Sequence, residues 1–401
     1  MRVLLVATKV PWPPNDGGRL LLYDTLQALA AAGHVLTLVA PALGGDPAEA
    51  AGELRPFCRL EPAAAKLRPR LADAVRAQVL RRPWTIVRHR LPAVRRLVAE
   101  LLGSESYDLV HAEQVQALAN AVGIAGAPPV VWRAQNVESD LWRATARQAS
   151  WRRLLFLLEA RRLARFETAA VRGAAATVAL TAEDAGRLAA LSGCPEKVHR
   201  VAAPFPEELP AGERQLEGAP PVVLFGSGGW LPNRRGARWF VDQVWPRVSE
   251  AVAGAVLHVF GTDLAVDRPG VRVHPPPSDS REAFPAGAIL VVPLAIASGV
   301  RMKILEAWAR GTPVVATPAA ARGLGAEPGH ELAVAETAED FARSVRELAE
   351  APELAASRTA CGRALLRREH AFDRIATRLS EIYACAAHPT GGGDGRAQLT
   401  Q

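Results

Sequence analysis

Aromatic residues make up only 5% of the 401-residue chain. That is too few for a sandwich of short aromatic strands, and the dominance of alanine, leucine, valine and arginine suits a helix-rich α/β protein instead. The four cysteines (Cys58, Cys194, Cys361, Cys385) stand apart, without Cys-x-x-Cys or zinc-like spacing. They read as buried thiols in a reducing compartment. No apolar run reaches the ~20 residues that a membrane-spanning helix needs. The opening MRVLLVATKV is too short an apolar run for a secretory signal and passes straight into a Pro/Gly loop. Together these absences lead to the expectation of a cytoplasmic protein. Lysine is also scarce, at positions 9, 66, 197 and 303 only.

Arginine supplies the rest of the positive charge, for a formal net charge of +7. The surplus is dense in Lys66 to Arg96 and Arg143 to Arg172. Phosphorylated ligands and anionic membranes fit such a balance. Nucleic acid is not expected, because the basic stretches lack interleaved aromatics and recognisable binding modules.

Short apolar runs alternate with amphipathic stretches, and the alternation repeats after a break. In the first half strands are expected at Val3–Ala7, Val35–Ala40, Leu109–His111, Val130–Trp132, Thr177–Leu180 and Val198–Val201. Helices are expected at Leu20–Ala32, Leu71–Leu102 (interrupted at Pro83 and Pro92) and Glu138–Val171. Residues 206–220, rich in Pro, Gly and Glu, read as a linker. Strands follow at Val222–Phe225, Val256–Phe260, Ile289–Val292, Val314–Thr317 and Leu332–Val334. Helices follow at Arg234–Val252, Val300–Arg310, Ala338–Ala349, Pro352–Arg368 and Phe372–Ala386. Strand, helix, strand in series gives an α/β fold of two Rossmann-like, doubly wound parallel-sheet domains, 1–205 and 221–371, facing across a cleft. The helix at 372–387 follows, and the Gly-rich tail 388–401 is expected to be disordered. In such sheets ligands bind outside the carboxyl ends of the strands.

The most informative stretch is ILVVPLAIASGVRMKILEAWARGTPVVAT, Ile289 to Thr317. An apolar strand enters a small-residue loop, Ala297-Ser298-Gly299, that opens a helix with Arg301 and Lys303 in its first turn. Cations there oppose the helix dipole by ~0.3–1 kcal/mol each. Beside a helix amino end, however, they build a site for phosphate. The alternative is a solvated helix face with a Lys303–Glu306 ion pair.

This stretch resembles the nucleotide-binding signature of the retaining glycosyltransferases with a GT-B fold. Its Ser-Gly-Val-Arg-x-Lys variant is similar to a subgroup associated with bacterial exopolysaccharide synthesis. In that family two Glu residues separated by seven positions precede the Pro-Val-Val ending. Glu306 matches the second, and the resemblance implies that it bonds the donor's ribose hydroxyls. The first falls at Ser298, where this chain departs from the pattern. The likeness extends over the amino-terminal loop and the middle of the chain, and it implies that the helix at 372–387 packs back on the first domain.

Other positions are weighed beside that resemblance. KVPWPPNDGGRL lacks the dinucleotide-binding Gly-x-Gly-x-x-Gly, but places Gly17 and Gly18 before a helix. They read as a turn pair, or, as the resemblance implies, as backbone donors to the donor's phosphate or sugar. SYDLVHAEQVQ puts His111 and Glu113 at a strand's carboxyl end, expected to face the cleft. Many family members have His-x-His there, so Glu113 stands where a sugar-contacting His is usual, and a strand-end core histidine is the alternative for His111. In WRAQNVESDLWR, Asn136 and Glu138 suit a helix start, while the subgroup likeness implies acceptor or sugar contacts by Arg133, Asn136 and Glu138. In VVLFGSGGWLPNRRGARWF, Ser227 stands where the family has an Arg that binds the diphosphate, and Arg235-Gly236 where it has Lys-Gly. Asn233 reads as a helix cap or a donor contact. The helix from Arg143 to Arg172 mixes arginines with Leu154 to Leu158. It reads either as a helix with one buried face and a solvated arginine face, or as a surface for an anionic membrane.

The resemblance thus implies a glycosyltransferase moving a hexose from a nucleotide diphosphate sugar, with retention, to a glycan, lipid-linked or small-molecule acceptor in polysaccharide or glycoconjugate synthesis. The nucleotide sugar enters as donor substrate, with no cofactor. No metal is expected, since Asp-x-Asp is absent. Arg301, Lys303, His111 and Glu113 are the catalytic candidates; Gly17, Gly18, Asn233, Arg235, Ser298, Gly299 and Glu306 are the donor-binding ones. The protein is expected in the cytoplasm, with peripheral contact at the inner membrane face. Rival expectations are a catalytically idle sugar-nucleotide-binding subunit and a nucleotide-sugar epimerase on the same fold.

Overall fold

The computed structural model describes residues 1–388 apart from 45, 148–150, 230, 263, 265 and 278. The tail expected to be disordered therefore lies, His388 excepted, outside the described residues. The first half runs β1 (Arg2–Val6), α1 (Gly17–Ala31), β2 (Val35–Pro41), α2 (Pro47–Leu54), β3 (Arg59–Ala63), α3 (Arg70–Val79), α4 (Trp84–His89), α5 (Pro92–Ser104), β4 (Leu109–Glu113) and α6 (Gln114–Ala121). It continues with β5 (Val130–Ala134), α7 (Glu138–Arg147), α8 (Arg153–Gly173), β6 (Ala176–Ala179), α9 (Ala182–Ser192) and β7 (Val198–Arg200). The second half runs β8 (Pro221–Phe225), α10 (Leu231–Trp239), α11 (Trp245–Ala251), β9 (Val256–Phe260), β10 (Val271–His274), β11 (Ile289–Val292) and α12 (Met302–Ala309). It closes with β12 (Val314–Ala316), α13 (Pro318–Ala321), β13 (Ala333–Val334), α14 (Ala338–Glu350), α15 (Pro352–Glu369) and α16 (Phe372–Ala387).

Each half forms one parallel sheet, ordered β3-β2-β1-β4-β5-β6-β7 and β10-β9-β8-β11-β12-β13. The central strands β1, β4, β8 and β11 are buried almost throughout because helices cover both faces, and all but β4, which carries His111 and Glu113, are nearly wholly apolar. Strand order reverses between β1 and β4 and again between β8 and β11. Each reversal opens a crevice at the carboxyl ends of the strands, where ligands bind in such sheets. The loops leaving these four strands are therefore the ones to inspect.

Two strands were not foreseen. β3 (RLEPA) and β10 (VRVH) are the outer edges of their sheets, half exposed and interrupted by polar residues, so their apolar signal is weak. The helix expected over Glu138–Val171 is two helices, with Trp142 edge-on against Phe156 where α7 packs back on α8. The helix expected over Arg234–Val252 is split by a π-helical turn at Phe240–Val244. Pro246 sits just beyond it and cannot donate the next helical hydrogen bond.

The chain crosses between the sheets twice. Phe205 N–H donates to the His370 carbonyl (2.9 Å) and the His370 ring to the Ala203 carbonyl (2.6 Å), so the outgoing and returning segments are stapled together. After the return, α16 buries Ile375, Leu379, Ile382 and Tyr383 in the core of the first sheet. Among the described residues no helix is long and apolar enough to cross a membrane.

Candidate functional site

The two reversal points face each other. α1 begins at Gly17 after β1, and α12 begins at Met302 after β11. A Cβ added to Gly17 would lie 3.4 Å from the Met302 side chain, so the two helix starts abut. Arg301 is the residue before α12, with no side chain capping that end. Lys303, in the first turn, reaches across the second sheet. Its Nζ donates to the Phe225 carbonyl and, at 3.4 Å, to the Asn233 side-chain oxygen. Both acceptors are neutral. Burial and the neighbouring Arg301 push the Lys303 amine down to about 7. Burial takes Arg301 down to about 10, against a raising effect of Asp184. The Lys303 amine thus sits beside a second cation on neutral oxygens, a setting in which a phosphate oxygen would be a stronger acceptor.

Asn233 is not a cap, because α10 already begins at Leu231. It lies inside the first turn, donates to the Ser227 carbonyl (3.0 Å) and so fixes both the glycine loop and Lys303. Arg235 lies on the exposed face of α10. The Lys303–Glu306 pair is not formed. Glu306 instead accepts from Arg310 (Nε 3.0 Å, Nη2 2.9 Å) and from the Ser280 hydroxyl (2.5 Å). Its carboxyl forms part of the wall of a cavity of about 620 Å³ that α1, the crossing segment and the second domain enclose. Asp24 and Trp12 line that cavity from the first domain. Burial raises the pKa of both Asp24 and Glu306, and the negative charge of Glu306 raises Asp24 further.

At α1 the Gly18 N–H is already taken by the capping Asp16 carboxylate (3.0 Å), which also binds Lys9 at 2.6 Å. Of the expected glycine pair, Gly17 is the exposed member.

His111 and Glu113 do not face the cleft. Two residues apart on β4, they share one side of the strand, and that side turns into the core. His111 is wholly buried and Glu113 is 2% exposed. The His111 ring accepts from the Tyr383 hydroxyl of α16 (2.5 Å) and donates to Glu113 (3.0 Å). Arg133 meets both Glu113 oxygens through Nε, at 3.0 and 2.9 Å, and adds an Nη2 contact at 2.8 Å. Against the cost of burial, Arg133 and His111 hold Glu113 down at about 2. Burial also lowers His111, so the ring is neutral.

Ser298 and Gly299 face the first domain. Ser298 Oγ accepts from the Val137 N–H (3.3 Å) and donates to Asp184 (3.3 Å), while the Gly299 N–H donates to the other Asp184 oxygen (3.1 Å). Gly299 has φ 68°, and a Cβ there would fall 2.2 Å from the Gln135 carbonyl. Only glycine permits both that backbone and that approach. With the Asn136 amide oriented to satisfy its neighbours, its nitrogen donates to the Ser298 carbonyl at 2.8 Å. This loop ties the domains together.

Three participants had not been singled out. Asp184 sits in the first turn of α9 behind the Thr181 cap. Gln114 adopts φ 70°, which costs a non-glycine residue roughly 1–2 kcal/mol. It is held by Thr8 (2.7 Å) and Gln135 (2.6 Å). Gln135 in turn donates to Glu113 (2.8 Å) and lies beside Gly18. The saturated Glu113 cluster therefore ends in two glutamines at the cleft floor.

Comparisons with known proteins bear on this arrangement. A model described as Glycosyltransferase Family 4 matches residues 16–206, and one described as Glycosyl transferases group 1 matches residues 220–351. No curated protein sequence matches the chain. Among solved structures, sucrose-phosphate synthase from Thermosynechococcus elongatus superposes with a TM-score of 0.70 at 14% identity, over 96% of this chain and 98% of its own. Anabaena Alr3699/HepE in complex with UDP-glucose gives 0.66 at 15% identity, over 96% and 99%. WaaG, a glycosyltransferase involved in lipopolysaccharide biosynthesis, gives 0.62 at 16% identity, over 98% and 100%. At these identities the structural likeness speaks for the fold alone.

Proposed function

This chain belongs to the GT-B glycosyltransferases, with a family 4 half ahead of a group 1 half, and on that premise we propose that it transfers a hexose from a nucleoside diphosphate sugar with retention of configuration. The observation that carries this reading is the Lys303 amine, buried on neutral oxygens beside Arg301 at the start of α12. A cavity of about 620 Å³ that Glu306, one turn further along α12, lines with Asp24 and Trp12 is of a size for the nucleoside. That HepE has been crystallised with UDP-glucose makes UDP the first nucleotide to try.

In the proposed reaction the bond between the anomeric carbon and the diphosphate oxygen breaks. Negative charge then grows on the leaving phosphate, where Arg301, Lys303 and the amino end of α12 stabilise it. Charge neutralisation by side chains is the basis for reading the transfer as metal-independent. The acceptor hydroxyl attacks from the side the leaving group vacates and gives its proton to a leaving phosphate oxygen. Glu113, His111 and Tyr383 act as positioning residues that hold Gln135 and Gln114 at the cleft floor. The acceptor is a glycan, lipid-linked or small molecule, as in polysaccharide or glycoconjugate synthesis.

The burial of His111 and Glu113 favours one rival, a sugar-nucleotide-binding subunit without turnover. Incubation with a panel of nucleotide sugars and acceptors separates the two. Release of nucleoside diphosphate together with a glycosylated acceptor is the expected result. Tight binding with no release under any acceptor would establish the idle subunit.

A further inference from the structure

Twelve large apolar side chains are exposed among the described residues, and nine of them fall in Leu67–Leu80 and Trp151–Leu158. Such clustering is not the scattered exposure of an ordinary surface. α3 is turned inside out. Leu71, Val75 and Val79, four residues apart along one face, are 78, 57 and 77% exposed, while the inner face buries Asp73 and Ala77. Asp73 is held there by Arg68 (2.9 Å) and Arg88 (3.1 Å). Trp151, Leu154, Leu155 and Leu158 recur at three- and four-residue spacing across the start of α8 and also point outward. Arg152 lies over the Trp151 ring at 4.4 Å.

These two faces adjoin. Arg162 of α8 donates to Gln78 (3.0 Å), and Glu159 accepts from the backbone of Trp84 and Thr85 (2.9 Å each). α3 follows the carboxyl end of β3, and α8 runs into the amino end of β6. Both faces therefore sit off the carboxyl edge of the first sheet, on the side of the cleft.

The charge around them is of one sign. Lys66–Arg96 carries ten Lys or Arg and one acid, and Arg143–Arg172 carries eight Arg and two acids. All three acids (Asp73, Glu159, Glu167) are buried. Partial burial, then Arg82, Arg95 and Arg76, hold Arg90 below the usual arginine range, so these groups crowd one surface. A second copy of the chain would bring this arginine rim against itself, because a two-fold interface pairs the same patch with its copy. An anionic lipid surface supplies an apolar layer and negative headgroups together.

We infer that α3 and the first turns of α8 form a docking face for an anionic lipid surface, with the apolar stripes at the headgroup boundary and the arginines among the phosphates. Docking brings the carboxyl edge of the first sheet, and the cleft beside it, to the lipid, which fits a lipid-linked acceptor. The inference goes beyond the transfer reaction and does not require it.

The test is sedimentation of the full chain with vesicles of phosphatidylglycerol and phosphatidylcholine in equal parts, and with phosphatidylcholine alone. Binding to the anionic vesicles is expected, weakened in high salt. It should weaken at least roughly tenfold in the L154S/L155S pair and in the R152E/R153E pair. Melting temperature and nucleotide release in solution should stay unchanged in both pairs. Equal binding to neutral vesicles, no binding by the wild type, or undiminished binding by both variants overturns the inference. So does a wild-type dimer that the L154S/L155S pair converts to monomer, which would place a second copy on this face. Vesicle binding without nucleotide-sugar turnover would leave this inference standing and defeat the transferase reading; turnover without vesicle binding would do the reverse.

Discussion

Two clusters of charge sit at matching places in the two halves, the buried His111–Glu113–Arg133 group on β4 and β5 and the half-buried Arg301–Lys303 group at the start of α12. In the first, the Glu113 carboxylate receives Arg133, His111 and Gln135, and Arg133 also donates to Thr25 (2.8 Å). In the second, the Lys303 ammonium meets a carbonyl and an amide oxygen, and its affinity for a proton is depressed. The sequence marks both as candidate catalytic residues. The difference is that Glu113 is met by opposite charge, whereas Lys303 is met by neutral oxygens and a neighbouring cation, the setting in which the proposed phosphate would add most.

The comparison breaks most visibly through stability. Arg133→Ala leaves Glu113 buried without its counter-charge and is expected to cost about 3–5 kcal/mol, read from urea or thermal unfolding. Lys303→Ala should cost nothing comparable, since a cation held at a cost is removed. If the two variants lost equal stability, the distinction between the clusters would be wrong.

Activity should show the reverse order. Lys303→Ala and Arg301→Ala are each expected to lower donor kcat/KM by ~1.5–3 kcal/mol, roughly 10- to 150-fold, through lost charge-assisted hydrogen bonds to phosphate. Glycosyl transfer rates on the purified variants check this. Wild-type rates in both would remove the phosphate assignment.

Titration sharpens the contrast further. The Lys303 value in the folded chain, about 7, lies below its ordinary 10.5. Between those values the unfolded chain binds the extra proton, so this group adds stability as pH rises through that window. Phosphate binding needs the proton, so donor kcat/KM should fall as pH climbs past about 7. Lys303→Arg should flatten that limb. Glu113, held at about 2 against an ordinary 4.5, contributes stability that is present above 4.5 and lost as pH falls towards 2. The smallest effect concerns the loop between the domains. Asp184→Ala removes the acceptor for Gly299 and Ser298 and should weaken donor affinity by about 0.5–1.5 kcal/mol, as measured by calorimetry.

The central strands, and the strand, loop and helix from Ile289 to Ala309, were legible because long apolar runs and a small-residue loop ahead of a helix need no partner to interpret. The edge strands β3 and β10 were not, being half exposed and polar. The facing of His111 was hidden for another reason. A parallel strand covered on both sides is apolar on both sides, so its sequence does not tell core from cleft. Only α16, arriving from the far end of the chain with Tyr383, settles it. Ser298 and Asp184 are 114 residues apart, and nothing local to either announces their contact. The left-handed Gln114 carries no sequence signal, since glycine or asparagine would be the usual choice there.

The central claim is that Arg301 and Lys303 grip the diphosphate of the donor. Calorimetric titration of UDP into the wild-type chain and the R301A/K303A pair, well below pH 7, tests it most directly. The account predicts clear binding by the wild type and a loss of at least roughly tenfold in the pair, with the fold intact by circular dichroism. Equal affinity in the two proteins would contradict it.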